Sequence, residues 1–200
     1  MWTTAFSAFD DWDSPDGYVE LLTLPCFFAV VPDTDPAEVI KRIGASHAAA
    51  LGLDWNRFGQ RNPHLSLCAI EKLSRVRGPP KVVLDAAATV KFDAFDAVFD
   101  CVETFGNGSY PTVLRGDTQT DQHMRLLAKS IEEAMYKIGI KAGSVVNGKP
   151  HITVFYDPSH RSISGPITPV RWRVREFVLI RSHVGYATHE TVGHWSLENQ

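Results

Sequence analysis

Short apolar runs alternate along the chain with longer stretches in which apolar residues recur every three or four positions. The short runs predict strands at 26–31, 64–70, 95–105, 110–115, 151–156, 172–181 and 191–197. The two longer stretches predict helices over 35–51 and 120–139. Strands and helices are therefore interspersed, which favours an α+β protein.

Both predicted helices carry signals at their ends. Pro36 is expected at the first position of the first helix, and Gly52 stops it. Thr120 is expected to cap the second helix, which Gly139 ends. Each helix is followed by a strand that begins with Pro-His, so strand, helix and strand occur in the same order twice. This order predicts a weak internal repeat within one α+β unit.

The first 20 residues differ from the rest of the chain. Aromatic residues recur there at helical spacing among several aspartates, and these aromatics are Trp2, Phe6, Phe9 and Trp12. A turn signal follows at 13–17. We expect residues 1–20 to form an N-terminal extension and residues 21–200 to form a single domain.

Composition and charge narrow the choice of partners. The chain has 200 residues and a formal net charge of −3, which argues against general nucleic-acid coating but allows a short oligonucleotide. Its three cysteines form no C-x-x-C pair, which favours a reducing compartment. No apolar run is long enough to span a bilayer, and the N-terminus lacks a signal-peptide pattern. We therefore expect a cytoplasmic protein with no membrane partner.

Two five-residue motifs stand out among the eight histidines. His-x-[Ser/Thr] occurs five times in the chain, but only two copies are flanked by proline and by apolar residues. These copies are Pro63-His64-Leu65-Ser66-Leu67 and Pro150-His151-Ile152-Thr153-Val154. Their shared flanks make a chance match improbable.

The spacing within each motif has a chemical consequence. On a strand, residues two apart point to the same face, so each histidine projects together with a hydroxyl side chain. If the two strands face each other across a cleft, two imidazoles and two hydroxyls converge, which suits an anion of phosphate size. One neutral and one protonated histidine are also an acid–base pair for phosphodiester hydrolysis, and this chemistry needs no metal.

The two motifs resemble those of the 2H phosphoesterases, and among them the RNA 2′,3′-cyclic phosphodiesterases, also called 2′–5′ RNA ligases. The runs 113–116, 148–154 and 178–182 also follow the layout of that family. The resemblance implies two pseudo-symmetric lobes with antiparallel sheets around a central cleft. It further implies hydrolysis of a 2′,3′-cyclic phosphate to a 2′-phosphate, without a cofactor.

Carried over residue by residue, the resemblance makes His64, Ser66, His151 and Thr153 the catalytic set. We expect His151 to act as the base and His64 as the acid. Tyr156 corresponds to an aromatic residue that can pack on the nucleotide in some members.

Two further groups of polar residues bear on binding. Arg115 and Arg181 lie near strand ends around the expected cleft, where they could hold flanking phosphates. The spacing of His183, His189 and His194 matches no familiar metal-ligand pattern, so no metal site is expected.

Two alternatives stay open at the level of sequence. The same cleft could bind an RNA end or a nucleotide without cleaving it. It could also perform 2′–5′ RNA ligation or act on another cyclic phosphodiester. In each case the expected partner is a nucleotide or a short RNA with a cyclic phosphate end, and no protein partner is inferred.

Overall fold

Nine strands, numbered along the chain, form two antiparallel sheets within the residues that the structure describes. The structure is a computed structural model and describes residues 26–60, 62–70, 81–106, 110–145, 149–183 and 188–198. The strands are β1 (Cys26–Val30), β2 (Leu65–Ile70), β3 (Phe95–Thr104), β4 (Pro111–Gly116), β5 (Ala142–Ser144), β6 (His151–Tyr156), β7 (Ser164–Val174), β8 (Glu176–His183) and β9 (Thr188–Ser196). The predicted extension over 1–20 lies outside the described residues.

The two sheets repeat one arrangement. The first has the order β5-β2-β1-β8-β9, and the second has the order β6-β4-β3-β7. The helices of the described part are α1 (Thr34–Ala50), α2 (Trp55–Phe58), α3 (Lys81–Ala87) and α4 (Thr118–Lys137). A long helix connects β1 to β2 in one half and β4 to β6 in the other, and the two strands pair antiparallel each time. The predicted α+β class with two antiparallel sheets is confirmed, and the repeat extends to the sheet order.

The first long helix begins slightly earlier than predicted. Asp33 is its N-cap residue, and the first i→i−4 bond runs from the Ala37 N–H to the Asp33 carbonyl at 2.9 Å. Pro36 therefore lies third in the helix, where a missing N–H costs nothing because the first turn has no intrahelical acceptors. Gly52 follows the helix at φ +68°, as predicted for a stop.

The second long helix also begins before its predicted cap. The Asp117 carboxylate, not the Thr120 hydroxyl, caps it by accepting the Thr120 N–H at 2.7 Å. The Thr120 hydroxyl is fully buried and accepts the Val98 N–H of β3 at 2.9 Å. Gly139 ends the helix at φ +75°. Aspartate and threonine are both good N-caps, so sequence alone does not choose between them.

The sequence pattern predicts one strand where the structure has two, and it gives no sign of three short elements. The predicted strand over 172–181 is the end of β7 and most of β8, separated at Arg175, where the chain passes from the second sheet to the first. The apolar pattern continues across this crossing, so it gives no sign of a break. The elements α2, α3 and β5 are too short to show a clear period.

No helix in the described part is long and apolar enough to cross a membrane.

A shared apolar core holds the two halves together. Helix α1 contacts β6 and β7 of the second sheet, while α4 contacts β2 and β5 of the first sheet as well as β3. Gly44 permits the approach of α1, since a Cβ there would lie 2.7 Å from the Trp55 ring and 3.0 Å from the Val154 Cβ. With the helices on one face of each sheet, the opposite faces are left to form the site.

Candidate active site

Both predicted motifs begin a strand and alternate as expected. His64 directly precedes β2, and His151 is the first residue of β6. The side chains of His64, Ser66, His151 and Thr153 are partly exposed, whereas the apolar residues between and after them are fully or almost fully buried. Each histidine therefore shares a face with its hydroxyl residue, away from the core.

Each motif strand contains a β-bulge just after its hydroxyl residue. In β2 the extra residue is Leu67, because Ser66 and Cys68 pair with consecutive residues of β1. In β6 the extra residue is Val154, by the equivalent pairing with β4. A bulge reverses the alternation of side chains beyond it. The two motifs therefore share a backbone irregularity as well as a sequence pattern.

The bulges decide which later residues join the histidines. Cys68 has the same spacing parity as Ser66, yet it is fully buried in the core. Tyr156 would oppose His151 under strict alternation, but the bulge returns it to the face of His151 and Thr153. The residue is 44% exposed, and burial raises the pKa of its hydroxyl while the Thr153 side chain lowers that pKa. The equivalent position in β2 is Ala69, so an aromatic residue occurs in one motif only.

The same hydrogen bond fixes both histidine rings. His64 Nδ1 lies 2.8 Å from the Asn62 carbonyl oxygen, and His151 Nδ1 lies 2.8 Å from the Lys149 carbonyl oxygen. Because a carbonyl oxygen only accepts, each Nδ1 carries the hydrogen and donates it. The Nε2 atom of each ring is then the one that can gain or lose a proton.

His64 lies in a cluster of three rings. Its ring centroid is 5.3 Å from that of Phe27 and 5.0 Å from that of His189, the latter in an edge-to-face contact. The pKa of His64 is lowered to about 4, mainly by burial and also by positive charge on His189 or His151, while the Asn62 carbonyl has a raising effect. His64 is therefore neutral at pH 7. The strands that the two motif histidines lead into, β2 and β6, contact each other.

His151 has more polar neighbours. Its ring makes an edge-to-face contact with Phe105 at 4.9 Å. Lys149 Nζ lies 5.9 Å from the centroid of the Phe105 ring and pairs with Glu103 at 2.9 Å. Burial lowers the pKa of His151, the Lys149 carbonyl raises it, Arg115 lowers it, and Asp121 raises it.

The structure brings one of the two predicted arginines to the site. Arg115 on β4 pairs in register with His151 on β6. Its Nη1 donates to the Pro150 carbonyl at 2.7 Å, and its Nη2 donates to Asp121 Oδ2 at 3.0 Å. The side chain is only 14% exposed. These contacts anchor the residue immediately before His151.

Arg181 is not brought to the site. It pairs in register with Cys26 of β1 and with Glu190 of β9, and the face it shares with them is the one opposite His64. Its guanidinium forms an ion pair with Glu190, through Nε at 3.0 Å and through Nη2. The apolar run before Arg181 correctly indicates a strand, but it does not show which face of the sheet borders the cleft.

A cavity of about 380 Å³ lies beside His64, and sequence reasoning did not find it. Its polar lining includes Thr34, Lys41, Asn62, His64, His189 and Thr191. The sequence drew attention to His189 only as a metal ligand to be discounted. Its proximity to His64 arises from the position of β9 at the edge of the first sheet, which no local pattern indicates. Among the described residues, no three His, Cys, Asp or Glu side chains are grouped as a metal site.

Comparison with known proteins finds likeness in structure but not in sequence. No protein-family model and no curated protein sequence matches the chain. E. coli LigT complexed with NADP+ superimposes with a TM-score of 0.66 at 19% identity, over 87% of this chain and 98% of LigT. A phosphoesterase gives 0.64 at 20% identity, over 87% and 98%. TT0787 of Thermus thermophilus gives 0.65 at 16% identity, over 88% and 100%.

These neighbours share one architecture with the chain. Each is matched over nearly its whole length, so the likeness includes both sheets rather than a shared fragment. The antiparallel sheets that the resemblance implied are found. The chain therefore has the fold of the 2H phosphoesterases, the superfamily that its two Pro-His motifs resemble.

Proposed function

We propose that this protein hydrolyses 2′,3′-cyclic phosphodiesters on nucleotides or short RNA ends by two-histidine acid–base catalysis. The observation that carries the proposal is the equivalence of His64 and His151. Each ring donates its Nδ1 hydrogen to the carbonyl two residues earlier, at the same distance, and each leads into a strand with the same bulge. A pair of imidazoles held in this way suits transfer of one proton in and one proton out.

The surroundings of the two rings favour the reverse of the roles expected from sequence. His64 lies among Phe27 and His189, which oppose protonation, and its pKa falls to about 4. Burial and the Arg115 guanidinium lower the pKa of His151 as well, but the Asp121 carboxylate beside it is a charge that favours protonation, and His64 has no such neighbour. We therefore assign His64 as the general base and His151 as the general acid.

The reaction balances with water as the only co-reactant. His64 Nε2 removes a proton from water as the water oxygen bonds to phosphorus. The bond from phosphorus to the 3′ oxygen breaks, and His151 Nε2 protonates the departing oxygen. The products are a 2′-phosphate and a free 3′ hydroxyl.

The two hydroxyl residues stabilise the charge that grows on the phosphoryl oxygens. Ser66 and Thr153 each share a face with a histidine, so their hydroxyls can donate to the non-bridging oxygens. Tyr156, on the face of Thr153, offers an aromatic surface to the nucleoside.

The structural neighbours support a nucleotide as the ligand. Structures of E. coli LigT are complexed with 3′-AMP, with ATP and with phosphate. Because sequence identity to them is 18–21%, they support the class of ligand and not its detailed pose.

Replacement of either motif histidine tests the proposal. His64→Ala and His151→Ala should each lower kcat on a 2′,3′-cyclic mononucleotide by about 10²–10⁴-fold, the range for loss of one acid–base group. His194→Ala is the matched control, since His194 is an exposed histidine on β9 paired with Glu176. Near-normal turnover in either motif variant, with the fold intact by circular dichroism, would overturn the assignment.

A further inference from the structure

His189 is a ring of the site that the proposed reaction does not use. It makes edge-to-face contacts with His64 at 5.0 Å and with Phe27 at 5.7 Å, so its orientation is fixed by packing. Its Nδ1 atom is buried and has no hydrogen-bond partner within the described residues. A buried polar atom without a partner carries a substantial free-energy cost. Because Nδ1 is closed to solvent, a ligand in the adjoining cavity would meet the ring through its other nitrogen, Nε2.

The cavity has the composition of a heteroaromatic subsite. Its apolar walls include Pro32, Pro63 and Ile180, and its hydroxyls come from Thr34 and Thr191. Flat apolar surfaces combined with a few separated donors and acceptors are typical of small-molecule sites, and about 380 Å³ falls within their range. Because His64 also lines the cavity, a substrate held at His64 Nε2 can extend directly into it.

The charge of the cavity favours a neutral group over a second phosphate. The two formally charged side chains among its described lining are Glu38 and Lys41, which pair at 2.8 Å. Burial lowers the pKa of His189, so its ring is neutral at pH 7 and offers one donor and one acceptor. A further phosphate would meet a carboxylate here, and the lysine beside it is already paired. A nucleobase edge would meet His189 and the hydroxyls of Thr34 and Thr191, which can both donate and accept.

We propose that this cavity is the subsite for the nucleobase of the substrate and that His189 hydrogen-bonds to the edge of the base. The proposal rests on the proposed function, which supplies a nucleotide held at His64. Tyr156 on the opposite sheet then faces the remainder of the nucleotide rather than carrying base recognition alone.

Binding of product nucleotides tests the subsite without requiring turnover. We would titrate the full chain with each of the four nucleoside 2′-monophosphates and with inorganic phosphate by calorimetry. His189→Phe keeps a ring of similar shape but removes both nitrogens, and it should weaken nucleotide binding about tenfold. Thr191→Val, which removes only a hydroxyl, should weaken binding of those bases that contact it. His194→Phe, on the same strand but outside the cavity lining, should bind every ligand as the wild type does.

Inorganic phosphate separates a base subsite from an indirect effect on the catalytic histidines. It should bind each variant as tightly as the wild type, which also shows that the variants are folded. Unchanged nucleotide affinity in His189→Phe would overturn the proposal, as would an equal loss for phosphate and nucleotides.

Turnover distinguishes this proposal from the proposed function. His189-dependent nucleotide binding by a wild type that hydrolyses no cyclic phosphate would support the subsite and refute the enzyme assignment. If the wild type hydrolyses cyclic phosphates and His189→Phe binds nucleotides as tightly as the wild type, the result would support the enzyme assignment and refute the subsite.

Discussion

His64 and His151 have the same backbone hydrogen bond but different neighbours, and the neighbours set their chemistry. Around His64 the contacts are with Phe27 and with a third histidine, which penalise a positive charge. Around His151 burial and the Arg115 guanidinium also oppose the charge, but the Asp121 carboxylate favours it. Two identical side chains in equivalent positions can thus serve as base and acid.

The low pKa of His64 predicts a contribution to stability that depends on pH. Its pKa is about 4 in the folded protein, below the ordinary value of 6.5. Between these values the unfolded chain binds more protons, so the contribution is present above pH 6.5 and is lost as pH falls towards 4. From pH 7.5 to 4.5 the loss due to His64 is about 2 kcal/mol.

Urea unfolding of His64→Gln at these two pH values measures that contribution. Glutamine does not titrate, so the free energy of unfolding should fall by about 2 kcal/mol less than in the wild type. His194→Gln, which changes an exposed histidine, serves as the control. Equal falls in wild type and His64→Gln would show that His64 is not held neutral by the fold.

At the scale of the element, the link between β4 and β6 positions the second motif. Arg115 joins the Pro150 carbonyl to Asp121, at the start of α4, and so fixes the backbone immediately before His151. Both contacts use the planar guanidinium, which a lysine ammonium does not reproduce. In the proposed mechanism Arg115 is a positioning residue that acts through His151.

Two Arg115 variants separate position from charge. Arg115→Met should lower kcat about 10–100-fold, because His151 loses its anchor. It should also raise the pKa of His151, since Arg115 lowers it, and move the alkaline limb of the kcat/KM profile to higher pH. Arg115→Lys should lower kcat similarly while leaving that limb in place. Full activity in Arg115→Lys would contradict the positioning role.

Sequence alternation predicted the orientation of the two motif histidines and hydroxyls better than that of their neighbours. The face shared by His64 and Ser66 follows from a period of two within one strand, and it is confirmed. The positions of Cys68 and Tyr156 depend on a bulge, which is defined only by pairing with another strand. The face of Arg181 depends on where the sheet borders the cleft. Features set by non-local pairing are the ones that the sequence does not show.

At the scale of the whole molecule, two equivalent halves share one core. Each long helix reaches the sheet of the other half, so the motif strands are held by contacts from both halves. The resemblance implied this pseudo-symmetry, and the equivalent strand orders agree with it. The sequence gives no sign that His189 lies beside His64, because this contact depends on the pairing of β9 with β8 in the first sheet.

The net charge of −3 predicts little gain from a longer RNA. Proteins that bind RNA mainly through phosphates lose affinity steeply as salt rises, because counterions are released on binding. We expect the KM for a decanucleotide with a cyclic end to lie within about threefold of that for a dinucleotide, at both low and physiological salt. A KM for the decanucleotide that falls steeply as salt is lowered would contradict this expectation and indicate an extended phosphate-binding track.

Phosphorus NMR tests the central claim most directly. The wild type would be incubated with each of the four 2′,3′-cyclic mononucleotides in EDTA, beside His151→Ala. The account predicts that the cyclic diester signal is replaced by one monoester signal, that of the 2′-phosphate, and that the variant leaves the diester intact. Absence of conversion by the wild type for all four substrates, or equal conversion by His151→Ala, would contradict it.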